Sequence, residues 1–205
     1  MVGWFHAVER STEEVFTRIY QKGSWSEDGF SFSGSQLYYT KPYILFLQEF
    51  LKKNHIATVV DVGCGDWQTF RYINWEGIQY TGYDVVPSII DRNSALFGQP
   101  SIQFIHADAL TIPLPSANLL ICKDVLQHLP NQEVQKLIAQ LYKFKHCLII
   151  NDVNPQTLSS KNPDIEKGDY RPIDLTQPPF NVVGEKLLTY RAGPTTKQVL
   201  YVRSR

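Results

Sequence analysis

The sequence has no surplus of either charge. Lys plus Arg and Asp plus Glu number 20 each, so no overall field draws in nucleic acid or acidic lipid, and only a local basic patch would serve such partners. Long apolar runs are missing too. Runs such as LLIC at 119–122 and CLII at 147–150 are strand-length, against the roughly 20 residues that span a bilayer, so no membrane helix is expected. Cysteine is scarce. Cys64, Cys122 and Cys147 are widely spaced and fit neither a disulfide framework nor a zinc pattern, so no metal site is expected and a reducing, cytoplasmic setting is. Cys122 and Cys147 lie in apolar runs and read as packing residues. The first residues, MVGWFHAVERSTEEV, have neither a basic start nor a continuous apolar stretch, so no secretory signal is expected. No internal repeat or low-complexity tract is present.

With 205 residues, 43% of them hydrophobic, the chain can bury one substantial core, and a single domain over 1–205 is expected. From about residue 56, β-rich runs recur with helical patterns between them: ATVVDV at 57–62, YTGYDV at 80–85, SIQFIHA at 101–107, NLLICK at 118–123 and HCLIIND at 146–152. This alternation predicts an α/β fold with parallel strands and crossover helices. NQEVQKLIAQLYKF places Val134, Leu137, Ile138, Leu141 and Phe144 at helical spacing, with Asn131 as N-cap. EKLLTY at 185–190 and QVLYVR at 198–203 flank the turn-rich RAGPTTK and predict a terminal hairpin. Ahead of the core, STEEVFTRIYQKG reads as a helix with a Ser11/Glu14 capping box, and Leu37–Lys53 as a second helix interrupted or started by Pro42. The expected divisions are a helical cap at 1–55, a core at 56–152, an insertion at 153–184 and the hairpin at 185–205.

The chemistry concentrates in VVDVGCGDW at 59–67, where an acid near the end of a buried strand is followed by Gly-x-Gly. Glycines there let the backbone turn sharply and approach a ligand without a Cβ in the way; a bare structural turn is the plainer reading. A dinucleotide fingerprint wants a third glycine where this chain has Gln68, and does not need Asp61. A carboxylate at the cradle suits a ligand with an ammonium and a sulfonium better than a pyrophosphate. Asp84, 19 residues beyond Gly65, stands where strand-end acids accept from ribose hydroxyls, whichever adenosine ligand is bound. Asp108 in HADAL, beside Ala109, can accept from an adenine amine or can simply end a strand.

Together these placements resemble the class I S-adenosylmethionine-dependent methyltransferases, over about Ala57 to Asn131. DVGCG is similar to the family's first motif, Asp84 to its ribose acid, Asp108 to its adenine-side acid, and NLLICKDVLQHLPN at 118–131 to its fourth-strand segment, with Asn118 where the family often has Asp. The resemblance implies a Rossmann-like open sheet of about seven mostly parallel strands, helices on both faces, and a last strand antiparallel beside the fifth. It implies that Asp61, Gly63, Cys64 and Gly65 surround the methionine part of S-adenosylmethionine, that Asp84 and Val85 hold ribose, Asp108 and Ala109 adenine, and that the carbonyl of Lys123, or of a neighbour at the end of the fourth strand, receives the ammonium. The implied product is S-adenosylhomocysteine. Two rivals stand beside this reading: a regulatory module that binds the cofactor without turnover, and a nicotinamide-dependent oxidoreductase.

The acceptor, a small molecule or an exposed protein group, would meet two segments. The insertion, about 30 residues long, is of a length that is usually functional or disordered; it offers Tyr170, Arg171 and Asp174, after Asn151 and Asp152 at the end of the fifth run. Arg171 and Asp174 can equally pair with each other to hold the loop, and Phe180 reads as a core anchor. Tyr20, Trp25 and Tyr38 can stack on ligands or pack a lid that covers the cofactor. Asp124 and His128, four apart, would share a helix face, with His128 as a base or as a packing residue. No basic cluster accompanies the aromatics, which argues against nucleic acid.

Overall fold

A computed structural model of the chain describes residues 10–23, 37–158 and 161–204. Helix α1 spans Thr12–Gln21 and α2 Leu37–Lys53; β1 is Thr58–Val62, β2 Gln79–Asp84, α3 Pro87–Phe97, β3 Ile102–His106, β4 Ala117–Lys123, α4 Asn131–Ile138, β5 Phe144–Asp152, β6 Glu185–Ala192 and β7 Thr195–Arg203. The seven strands form one sheet in the order β3-β2-β1-β4-β5-β7-β6. The first five are parallel, and β7 runs antiparallel beside β5 and β6. The order reverses between β1 and β4, which opens a crevice at the carboxyl ends of the strands.

Alternation along the strands feeds two cores. Val60 and Val62 of β1, Leu120 and Cys122 of β4, and Cys147 and Ile149 of β5 join one cluster with Phe16 of α1 and Val134 and Leu137 of α4. Val59, Leu119, Ile121, Leu148 and Ile150 face the other side with Tyr43, Leu47 and Phe50 of α2. Burial on both faces is why these strands read as near-continuous apolar runs. Asn118 holds the start of β1 to β4: its Oδ1 accepts the Ala57 and Thr58 amides at 2.9 and 3.1 Å.

The helices form as capping and packing dictate. Ser11 Oγ accepts the Glu14 amide at 3.1 Å and Glu14 Oε2 accepts the Ser11 amide at 2.9 Å, the expected capping box. Helix α2 runs through Pro42, neither started nor broken by it, because the buried stripe from Tyr43 to Leu51 compensates for one lost ladder bond. The hairpin strands reach further than expected and leave Gly193 and Pro194 as a two-residue turn. Gly193 has φ +63° and proline cannot follow it into that region, which is the type II′ pattern.

Three expectations need correction. The 131–144 helix stops at Ile138; Leu141–Lys143 form a 3-10 turn and Phe144 begins β5, because that ring is drawn fully into the sheet core. Its N-cap is Pro130, while Asn131 is the first helical residue. No α-helix follows the glycine loop. Only a 3-10 turn at Phe70–Tyr72 stands between β1 and β2, and Trp67, Phe70 and Trp75 cover that part of the sheet themselves, packed on Tyr80 at centroid distances of 5.6, 6.4 and 4.7 Å. Aromatic pairs of this kind contribute about 0.5–1.5 kcal/mol each beyond their buried area.

Candidate functional site

The loop after β1 is built by left-handed backbone at Gly63 (φ +70°) and Gly65 (φ +52°). A Cβ on Gly63 would meet Val125 Cγ2 at 2.3 Å, so glycine is required there for conformation and for space. Gly63 and Cys64 donate their amides to the Tyr83 carbonyl at 2.8 and 3.0 Å, and Gly65 donates to Asp84 Oδ2 at 2.9 Å. Asn93 of α3 donates to the Gly65 carbonyl at 2.7 Å. The loop is thereby fixed to the end of β2. Asp66 turns the chain once more, its Oδ1 accepting the Gln68 amide and its Oδ2 the Gln68 side-chain amide.

Asp61 lies beneath this loop with no exposed surface. Tyr80 donates its hydroxyl to Oδ2 at 2.5 Å, while Oδ1 has no partner in the protein. Burial is the main cause that lifts the Asp61 carboxyl to about 7; Tyr80 pulls it back, Asp84 adds to the rise and Lys123 opposes it. At the end of β2, each oxygen of Asp84 accepts one amide, from Gly65 and from Val86 (3.0 Å), and keeps a lone pair over. Burial raises its pKa against the pull of those amides. Asp108 ends β3 as a turn: its Oδ1 accepts the Leu110 amide at 2.9 Å and its carbonyl the Thr111 amide at 3.0 Å.

These pieces line one cavity of about 290 Å³ at the reversal of strand order. Gly63, Cys64, Asp84, Val85, Asp108, Ala109 and Lys123 are on its walls, whereas Asp61 and Gly65 stand behind them. The cover is α1, whose Thr12, Phe16 and Tyr20 fall on one helical face over the opening. Helix α2, the other helix of the expected 1–55 cap, packs on the far face of the sheet. Trp25 lies outside the described residues, and Tyr38 stands 84% exposed and away from the cavity.

The other end of the cavity holds a group of charges that sequence reasoning missed. Asp124 follows β4 in left-handed conformation, φ +62°, rather than on a helix, so it does not share a helix face with His128; only a 3-10 turn, Leu126–His128, comes after it. Its carboxylate is held between Lys123 Nζ at 2.5 Å from Oδ2 and Lys197 Nζ at 2.6 Å from Oδ1. Although burial works the other way, the two ammoniums hold Asp124 well below the usual carboxylate range. Both lysine side chains are only 7% exposed. Lys197 arrives on β7, opposite Asp152 in the β5–β7 register. No local pattern could announce it, because the pairing depends on the hairpin folding back beside β5.

The insertion supplies the remaining wall. Gly168 and Arg171 donate their amides to the His128 and Gln127 carbonyls, and Ile173 donates to Asp152, so 168–173 runs along the 127–129 turn and the β5 end. Asn162 fastens the segment through side-chain bonds to the Asp174 and Pro178 carbonyls at 2.9 and 2.8 Å. Phe180 packs against the core, as expected. Tyr170 reaches the cavity, its ring 5.7 Å from that of His128, and donates its hydroxyl to Asp152. His128 is buried with Nδ1 2.9 Å from the Asp169 carbonyl, and burial pushes its pKa down to about 4. Asn151 and Asp152 are buried at the strand end and off the cavity wall.

Arg171 and Asp174 do not pair. Arg171 gives Nη1 to the Leu129 carbonyl and Nη2 to Asn131 Oδ1, both at 2.8 Å, while Asp174 is bonded to Lys186 and Thr176. Arg171 thus sits under the turn as a strut, away from the cavity. No helix of the described residues is long and apolar enough to cross a membrane, and no metal-binding cluster occurs among them.

Residues 59–145 match the family model of a methyltransferase domain. Among solved structures, the chain is similar to a magnesium protoporphyrin IX methyltransferase from Synechocystis with bound S-adenosylmethionine: TM-score 0.65, 11% identity, 98% of this chain and 100% of that one. The N-methyltransferase NodS of Bradyrhizobium japonicum, in complex with S-adenosylhomocysteine, gives TM-score 0.63 and 11% identity over 82% of this chain and 88% of that. Human N-acetylserotonin methyltransferase, in complex with S-adenosylmethionine, gives 0.57 and 17% over 95% of this chain, which spans 60% of that one. No curated protein matches the sequence. At such identities the likeness to these structures is one of fold.

Proposed function

We propose that this chain, a class I Rossmann-like S-adenosylmethionine-dependent methyltransferase in its fold and in the domain matched over residues 59–145, transfers the methyl group to a small molecule or an exposed protein group held at the Lys123–Asp124–Lys197 end of its cavity. One observation carries the assignment of the site: the glycine loop, Asp84 and Asp108 converge on one cavity at the strand reversal. The residues present fit the cofactor. The Gly63 cradle admits no Cβ, Asp84 keeps lone pairs for ribose hydroxyls, and Asp61, behind the wall with Oδ1 unpartnered, favours an ammonium in the cavity through space rather than by contact. Ala109 and Asp108 would meet the adenine edge and the Lys123 carbonyl the methionine ammonium.

When bound, S-adenosylmethionine supplies a methyl group on a sulfonium, an electrophile open to in-line attack. The protein's share is placement and exclusion of water. Phe16 and Tyr20 of α1 cover the cavity, and Tyr170 and Lys197 close its acceptor side. Three buried, unpaired thiols support a reducing, cytoplasmic setting.

Calorimetry tests the reading. Micromolar-range binding of S-adenosylhomocysteine is expected, and a well-folded chain that binds none would sink it. The rival regulatory module predicts the same binding but no labelled methyl in any acceptor pool. A nicotinamide ligand is disfavoured by a specific feature: the third glycine of its fingerprint serves close packing of a helix on the strand, and here Gln68 is tied to Asp66 with no α-helix after it. Absence of NADH fluorescence enhancement on titration is the expected result.

A further inference from the structure

We infer that the methyl acceptor is an oxyanion, a carboxylate or a phosphoryl oxygen already deprotonated at neutral pH, received by Lys123 and Lys197. This rests on the methyltransferase reading and goes beyond it by naming the acceptor's chemistry. Two ammoniums face one carboxylate here: Lys123 Nζ meets Asp124 Oδ2, Lys197 Nζ meets Asp124 Oδ1, and among the described residues neither is bonded to another acceptor. Each ammonium carries three donors and Lys123 gives one to Asp124 Oδ2, so at least two on each remain unmatched on side chains that are 7% exposed. Buried donors call for acceptors, and buried positive charge calls for negative.

The neighbouring acids do not meet that need. Asp152, opposite Lys197 on β5, is spent on Tyr170 and on the Asn154 and Thr196 amides at 2.8 and 3.1 Å, and is off the cavity wall. Asp61, which feels Lys123, is bonded to Tyr80 behind the wall and burial lifts its carboxyl to about 7; Asp66, Asp84 and Asp108 belong to the loop and strand ends of β1, β2 and β3, across the reversal. An anion entering beside Asp124 completes the match of two positive and two negative groups.

The same corner is badly equipped to remove a proton. Asp124 is held far down by its two ammoniums, and His128 is a weak base near 4 with Nδ1 at the Asp169 carbonyl. An acceptor that needs no base fits this wall. The acceptor oxygen forms the new O–C bond as the methyl C–S bond breaks, the C–S electron pair stays on sulfur, and no proton moves. The anion and the sulfonium neutralise each other in the step, giving a methyl ester and a thioether.

The test uses the full chain and S-adenosylmethionine labelled in the methyl group, offered with pools of carboxylic acids, phosphoryl compounds, amines, phenols and thiols. Label is expected in an oxyanion pool: mild alkali releases it as volatile methanol from a carboxylate ester, while a phosphoryl ester holds it under those conditions. Lys197→Met is expected to raise the acceptor KM by about tenfold or more, the loss expected when one partner of a buried charge pair is removed, with S-adenosylhomocysteine affinity changed less than about twofold; Lys197→Arg restores part of the loss. Independently of turnover, an active-pool anion should raise the Tm of the S-adenosylhomocysteine-loaded chain, its neutral amide or ester should not, and Lys123→Met should abolish the difference. If no pool is labelled, simple carboxylates and phosphonates serve as the anions. Label confined to amines, phenols or thiols, or equal shifts from the anion and its neutral analogue, would overturn the inference. So would equal losses of cofactor and acceptor affinity in Lys197→Met, which would give the ammoniums to the donor's own carboxylate. Failure of the folded wild-type chain to bind S-adenosylhomocysteine would instead bring down the methyltransferase reading.

Discussion

Gly65 donates its amide to Asp84 Oδ2 at 2.9 Å, so the glycine loop after β1 and the acid that ends β2 form one rigid unit. A carboxylate oriented in this way presents its remaining lone pairs to the cavity in a fixed direction, and that pre-orientation is what a sugar diol needs.

Asp84→Ala therefore removes both an acceptor and the brace of the loop. S-adenosylhomocysteine affinity is expected to fall about 10- to 100-fold, the equivalent of one or two hydrogen bonds to a charged group. Calorimetry on the folded variant checks this, and an unchanged Kd would remove Asp84 from the site.

Asp61 gives a pH signature. Its carboxyl, raised mainly by burial to about 7, binds its proton more tightly in the folded chain than in the unfolded one, where it titrates near the usual value of about 3.9. The stability it contributes is full below about pH 4 and is lost as pH rises toward about 7, so Asp61→Asn should flatten the stability profile across that window. An ammonium bound in the cavity in front of Asp61 lowers its pKa through space, so cofactor binding at pH 7 should release part of a proton, at most about half. Calorimetry in buffers of different ionisation enthalpy reads that release, which should vanish in Asp61→Asn.

At Gly63, alanine meets two obstacles: φ +70° and Val125 Cγ2 at 2.3 Å from the new Cβ. A loss of about 2 kcal/mol or more is expected, a fall in Tm of about 4–8 °C for a chain of this size. Adding Val125→Ala should recover only the steric part, since the backbone strain stays.

Arg171 is expected to behave as a strut. Arg171→Ala leaves the Leu129 carbonyl and Asn131 Oδ1 without their donor and should cost about 2–4 kcal/mol, with S-adenosylhomocysteine affinity little changed in the protein that remains folded. Arg171→Lys should not restore the loss, because one ammonium cannot reproduce the planar fork that serves both acceptors. Thermal unfolding and calorimetry together separate this from a ligand-binding role.

Much of the proposed cofactor side is legible along the chain because it is local. Asp61, Gly63 and Gly65 lie within one turn of backbone, and the position of Asp108 follows from the end of a strand whose apolar pattern marks it. The capping box at Ser11 and Glu14 is likewise set within four residues. The helix over 131–144 fails for the opposite reason: apolar spacing cannot distinguish Phe144 on a helix from Phe144 opening a buried strand, and the sheet core decides.

By itself, then, the sequence determined the parallel core, the hairpin and the glycine cradle, since propensity, alternation and left-handed turns act between neighbours in the chain. Tertiary structure alone decided the cluster proposed to receive the acceptor. The sequence reading placed Asp124 and His128 on a helix face and missed Lys197, yet Asp124 lies between Lys123 and Lys197 because the Gly193–Pro194 turn returns β7 antiparallel beside β5. Contacts made across strands depend on register and sheet order, and no spacing along the chain encodes either.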